Sequence, residues 1–237
     1  MVVDFLKASI KFAKLNNTPL NLDSGIFLTG YSEGGYVALA ALPKLEKENF
    51  KIKQCAPIDG AYLLGPLFKR ALSYRYIPFP SYLVAIIYSY SKAYNIPIKS
   101  MIKEPYSNYI SNLFLGEYSK EQIDKKLTSF RDKLLTSSFR KNFTKSRLYK
   151  ALLENSVIDF QSSSEIKLLH CKGDRFIPYK IALYAKRGLN ILGTNSVEVI
   201  PIEEYLNLSK KYNHKECARY GYEIVAKIFN SAREESF

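Results

Sequence analysis

Gly30-Tyr31-Ser32-Glu33-Gly34-Gly35 stands where the apolar run Ile26-Phe27-Leu28 gives way to the small-residue string Tyr-Val-Ala-Leu-Ala-Ala. A serine framed by glycines at a strand-to-helix junction is the setting in which Gly-x-Ser-x-Gly makes a nucleophile elbow. The turn lifts the serine hydroxyl above the sheet. The amides at the start of the helix favour negative charge on an attacked carbonyl oxygen, and the Glu33 backbone N–H, which follows the nucleophile, is the natural first oxyanion donor. In a strand-helix loop without catalysis the same string would mark only tight packing.

A serine nucleophile needs a base, and the sequence holds two histidines. His170 lies at the end of an apolar run, four residues before Asp174, and His214 lies at the start of the final helical pattern. The chain order nucleophile, acid, histidine selects Ser32, Asp174 and His214, with Asp174 in the polar loop CKGDRFIP directly after its strand. His170 then reads as a structural histidine, and it is the alternative base. His170, Cys171, Asp174, His214 and Cys217 also form a conceivable metal set. Neither H-C-x-x-D nor H-x-x-C matches the usual paired zinc spacings, so no metal and no other cofactor is expected. Cys217 reads as a small buried residue, and Cys55 and Cys171 as packing residues at the ends of neighbouring strands.

These residues need elements to position them. An amphipathic helix opens the chain, with Phe5, Leu6, Ile10 and Ala13 on a broad face and Phe12 at its margin. The segment NNTPLN makes a turn, and strand-like runs follow in SGIFLTG, FKIKQCAPIDG, SEIKLLHCKGD and SVEVIPIE. Helical patterns separate them, and the last, from about His214 to Ala232, sets Ala218, Tyr222, Val225 and Phe229 on one side. Short apolar strands alternating with helices imply a mostly parallel sheet covered on both faces. Between about Ala61 and Ser164 the pattern changes to helices and loops, an inserted helical lid.

The 237 residues, 47% of them hydrophobic, suffice for one domain with an insertion, and an aromatic content of 14% excludes disorder as the main state. The net charge of +13 attracts anionic surfaces in general, but the lysines are scattered and lack the spacing of a nucleic-acid module, so no nucleic acid is expected. Three cysteines build no disulfide scaffold and lean towards a reducing compartment. The first 17 residues carry Asp4 and lysines without a small-residue cleavage site, which reads as no signal peptide and favours the cytoplasm. The most apolar tract, Ile77 to Tyr90, is too short and too interrupted by Pro80 to cross a bilayer.

On these blocks the chain resembles the α/β-hydrolase family, and within it the lipase- and esterase-like members with a helical insertion between the sixth and seventh strands. FLTGYSEGGYVALAALPKLE is similar to the family's fifth strand, elbow and following helix, and CAPIDGAYLL to its sixth-strand segment. LLHCKGDRFIPYK is similar to the acid loop, and YNHKECARYGYEIVAKIF to the segment bearing the catalytic histidine. The resemblance implies a partial α/β-hydrolase fold, a mostly parallel sheet flanked by helices, with its core in residues 1–62 and 165–237 and a helical cap in 63–164. It implies a serine hydrolase of carboxylic (acyl or lipid) esters, with Ser32 as nucleophile, Asp174 as acid, His214 as base and an acyl-enzyme intermediate.

One departure from the family stands out. Its members place about four strands and an oxyanion loop before the elbow, whereas 24 residues precede the Gly25–Gly30 strand here, room for one helix. Either the sequence is a fragment, which would reopen secretion, or a second chain or copy covers the open edge of the sheet. The second oxyanion donor comes from that missing part, and losing one such donor costs about 3 kcal/mol. The alternative is therefore a weakened or inactive hydrolase-like protein acting by binding lipid or a protein partner. The cap tract RYIPFPSYLVAIIYSYSKAYNIPI interleaves aromatic and aliphatic residues. It fits the wall of an acyl pocket or a lipid interface, and equally the core of the insertion.

Overall fold

The computed structural model describes residues 2–20, 22 and 25–234, so Ser24 of the first expected strand, Asn21 of the turn before it, and the extreme ends of the expected core lie outside the described residues. In chain order these form α1 (Val2–Leu15), β1 (Ile26–Tyr31), α2 (Glu33–Lys47), β2 (Ile52–Ile58), α3 (Leu64–Ser73), α4 (Pro80–Ala93), α5 (Tyr106–Leu113) and α6 (Lys120–Lys126). There follow α7 (Arg131–Leu134), α8 (Ser137–Lys141), α9 (Arg147–Glu154), β3 (Glu165–His170), α10 (Lys180–Ile191), β4 (Val197–Pro201), α11 (Ile202–Tyr205) and α12 (His214–Glu234). Residues Leu64–Ser156 make one compact unit and the remaining described residues another.

The larger unit is built on a parallel sheet in the order β1-β2-β3-β4. The register sets Leu28 beside Cys55, Cys55 beside Ile166 and Ile166 beside Val197. Cys55, Ala56 and Ile58 of β2, and Ile166, Leu168 and Leu169 of β3, are fully buried. The apolar runs are continuous rather than alternating because helices cover both faces, as the sequence pattern implies. α2 packs on β1 and β2, α10 on β3 and β4, and α12 crosses β1, β2 and β3. Among the described residues β1 pairs with β2 alone and forms one edge of the sheet.

The two outer helices sit differently from the faces read in the sequence. α1 buries Val3 and Ala13, with Leu6 and Ile10 half-buried, while Phe5 and Phe12 point to solvent. The faces differ by about one position, which a short helix with apolar residues on both sides leaves ambiguous. α12 buries Cys217, Gly221, Ile224 and Val225 and leaves Tyr222 exposed. Gly221 fixes that rotation, since a Cβ there would stand 2.5 Å from Ile58 Cγ2, closer than any side chain permits.

Residues 157–164 group with the sheet. Val157 N donates to Tyr62 O at 2.9 Å, and Glu46 Oε1 of α2 accepts from Ser164 Oγ at 2.6 Å, Ser162 Oγ at 2.8 Å and Ser164 N at 3.1 Å. A carboxylate holding a run of serines fixes the chain as it enters β3.

The second unit has its own apolar centre, in which Val84, Ile87, Leu134, Leu135, Leu148 and Leu152 carry no exposed surface. Pro80 of the apolar tract does not break a helix but starts one, at the first position of α4, where its missing N–H costs nothing. Ile77, Leu83, Val84 and Ile87 of that tract are core, whereas Phe79 and Tyr82 are exposed. No described helix is long and apolar enough to cross a membrane.

Candidate active site

The residues with chemistry stand outside the carboxyl ends of successive parallel strands: Ser32 after β1, Asp59 after β2, Asp174 after β3 and Glu203 after β4. Open parallel sheets place their sites there. Ser32 joins β1 to α2 with φ 57° and ψ −115°, a left-handed conformation that costs an L-residue of order 1–3 kcal/mol. Its N–H is held by Ile58 O at 2.9 Å. Gly30 and Gly35 make the turn possible. A Cβ on Gly30 would sit 2.3 Å from Gly34 O, and one on Gly35 would sit 2.8 Å from Ile58 O. Gly34 itself has open space at that point, so the crowded pair is Gly30 and Gly35 rather than the two glycines of the five-residue motif.

His214 is the first residue of α12, and a reciprocal cap fixes it. Asn213 Oδ1 accepts from Glu216 N at 3.1 Å while Glu216 Oε2 accepts from Asn213 N at 3.0 Å. His214 Nε2 lies 2.9 Å from Ser32 Oγ, and His214 Nδ1 lies 2.6 Å from Asp174 Oδ2. Asp174 is held by its own loop, its Oδ1 accepting from Phe176 N at 2.7 Å and Ile177 N at 3.0 Å, an Asx-type turn. The three residues selected from the sequence thus lie in one hydrogen-bonded line. Glu33 begins α2, so its backbone N–H lies among the first-turn amides that have no partner within the helix. Its side chain is exposed. The rings of Tyr31 and Phe176 flank the imidazole, with centroids 4.9 and 5.3 Å away.

His170 is fully buried, with Nε2 donating to Ile177 O at 2.8 Å. Burial lowers its pKa, which keeps the ring neutral. Its bond to Ile177 O ties it to the loop that carries Asp174, and its ring makes no hydrogen bond to Ser32.

Three features were not read from the sequence. Cys171 and Cys217 are not separate packing residues: they form a disulfide with Cα atoms 5.9 Å apart. Cys171 stands three residues before Asp174 and Cys217 three after His214, so bringing acid and histidine together brings the flanking cysteines together as well. As a disulfide they offer no thiolate to a metal. Cys55 is free and buried, and burial pushes its thiol well up. Second, Glu203 is buried and accepts from Lys172 N at 2.8 Å, Gly173 N at 3.0 Å and Tyr212 N at 3.2 Å, tying the acid loop to the segment before His214. Third, Asp59 is fully buried at φ 44°, accepts from Cys171 N at 3.0 Å, and places Oδ2 3.8 Å from His214 Nδ1. Desolvation, and then the Asp174 charge, push its carboxyl up to about 9. An acid at the carboxyl end of a parallel strand was the signal for Asp59, visible in Pro57-Ile58-Asp59-Gly60.

No protein-family model and no curated protein sequence matches the chain. Its fold is similar to that of LipA, a rice cell wall degrading esterase from Xanthomonas oryzae, with a TM-score of 0.71 and 23% identity over 84% of this chain and 56% of that one. It is also similar to a Legionella pneumophila protein assigned to the hydrolases, with a TM-score of 0.77 and 22% identity over 97% and 62% of the two chains. Candida antarctica lipase A in its closed state gives a TM-score of 0.65 at 15% identity, over 94% and 52%. The chain thus spans between half and two thirds of the length of these proteins. Its four parallel strands and flanking helices, with the helical unit between β2 and β3, are a partial α/β-hydrolase fold with a helical insertion.

Proposed function

We propose that the chain is a serine hydrolase of carboxylic esters. The observation that carries this reading is the line Ser32 Oγ, His214 Nε2 at 2.9 Å, and His214 Nδ1 to Asp174 Oδ2 at 2.6 Å, with the serine on a strained elbow. Ser32 Oγ attacks the ester carbonyl carbon as its proton passes to His214 Nε2. Asp174 orients the imidazole and stabilises its charged form. The Glu33 N–H donates to the oxygen that becomes negative in the tetrahedral intermediate. That intermediate collapses by breaking the bond to the alcohol oxygen, which takes the proton from His214. Water then attacks the acyl-Ser32 carbonyl, gives its proton to His214, and the acid leaves as Ser32 regains a proton.

The flanking Tyr31 and Phe176 rings favour apolar acyl groups over charged ones, in keeping with the esterase and lipase among the similar structures. The Cys171–Cys217 disulfide weighs against the reducing compartment that the cysteine count suggested. The test is turnover of p-nitrophenyl esters across acyl lengths. Activity that Ser32→Ala abolishes supports the reading, and activity that Ser32→Ala leaves intact, or none in the wild type, contradicts it.

A further inference from the structure

We propose that Asp59 is a positioning residue for the Ser32 reaction, a buried carboxylic acid that keeps its proton and donates it in a hydrogen bond to Asp174, so holding that carboxylate towards His214. The inference rests on the hydrolase reading for its catalytic consequence and on geometry for the proton.

The reacting oxygens and nitrogen of Asp59, Asp174 and His214 all lie within 4.8 Å of one another. Two carboxyl groups this close and this buried cannot both ionise, so the donors around each decide which holds the proton. Asp174 receives two backbone N–H groups on Oδ1 and the His214 ring on Oδ2. Three donors make it the acceptor of the pair. Asp59 receives one backbone donor, Cys171 N, on Oδ1, and its buried Oδ2 receives none. Among the described residues no lysine or arginine pairs with it. His170 Nε2 lies 3.3 Å from Oδ1, but that ring is neutral and already bonds Ile177 O. Glu203, the buried Tyr62 and His214 are the other titratable groups around it, and His214 Nδ1, 3.8 Å from Oδ2, directs its hydrogen to Asp174 Oδ2 instead. Asp59 is therefore the acid, which agrees with the upward shift of its carboxyl. Its left-handed backbone, directly after β2, aims the side chain under the acid loop.

The consequence is an alkaline limit. Above about 9 the Asp59 proton is lost, the two carboxylates repel, and Asp174 no longer aligns His214. Stability carries the same proton. The unfolded chain gives it up near the ordinary aspartate value of about 3.9, the folded chain near 9, so wild-type stability falls between those values as pH rises.

Turnover of p-nitrophenyl esters and thermal unfolding from pH 5 to 10 test this in the wild type, Asp59→Ala and Asp59→Asn. Asp59→Ala should lower kcat about tenfold with little change in KM, as the loss of one buried hydrogen bond implies. Asp59→Asn, whose amide N–H still donates to Asp174, should recover most of that loss and lack the fall in rate near pH 9. The Tm of Asp59→Asn should gain on the wild type steadily as pH rises. A loss in Asp59→Asn as deep as in Asp59→Ala, or a Tm difference that does not vary with pH, would overturn the proposal. If the wild type turns over no ester, the hydrolase reading fails, and the Tm series still decides whether Asp59 keeps its proton.

Discussion

Tyr31 and His214 meet twice: the Tyr31 hydroxyl donates to the His214 backbone carbonyl at 2.6 Å, and the two rings lie 4.9 Å apart. The residue before Ser32 thereby holds the first residue of α12. The distance from Ser32 Oγ to His214 Nε2 is set from both of its ends. Tyr31→Phe keeps the ring contact and removes the hydrogen bond. The expected outcome is a kcat lower by about five- to tenfold with KM nearly unchanged, and stability lower by about 1 kcal/mol. Steady-state kinetics on one ester, with urea unfolding alongside, checks both.

The Cys171–Cys217 bridge, with a sequence separation of 46, ties the acid loop to α12 just beyond the histidine. Chain entropy alone makes such a closure worth about 4 kcal/mol. Cys171→Ser with Cys217→Ser should lower Tm by about 8–16 °C and reduce kcat more than it raises KM. Reduction of the wild type should reproduce both effects. Unfolding curves and rates measured with and without reductant decide it.

Glu203 gives its two oxygens to three backbone amides, Lys172, Gly173 and Tyr212. In Glu203→Gln the amide nitrogen must turn towards one of these donors, leaving a buried N–H unpaired. A stability loss of about 1–3 kcal/mol is expected, with a smaller rate loss because Asp174 keeps its own turn through Phe176 and Ile177. Thermal unfolding reads the first and ester turnover the second. No change in Tm would show that the two loops hold without it.

The strand and helix order was legible because β1 to β4 are short apolar runs in a sheet buried on both faces, and the helical unit because its glycine-poor pattern differs from theirs. Ser32, Asp174 and His214 were legible because each sits at a punctuated place: a glycine turn, a strand end, a helix start. The orientation of α1 and α12 was not, because apolar residues lie on more than one face and Gly221, a residue without a side chain, sets the rotation of α12. The disulfide and Asp59 were missed for one reason. Each depends on which loops meet across the ends of β2, β3 and the start of α12, and spacing along the chain points to that only once the parallel order of the strands is known.

The most direct measurement is labelling of the folded protein with a fluorophosphonate, followed by mapping of the modified peptide. The account predicts one label, on Ser32, formed at a rate that His214→Ala lowers by about a thousandfold or more and lost on unfolding. A folded wild-type protein in which Ser32 stays unmodified, or labels no faster than in His214→Ala, would contradict it.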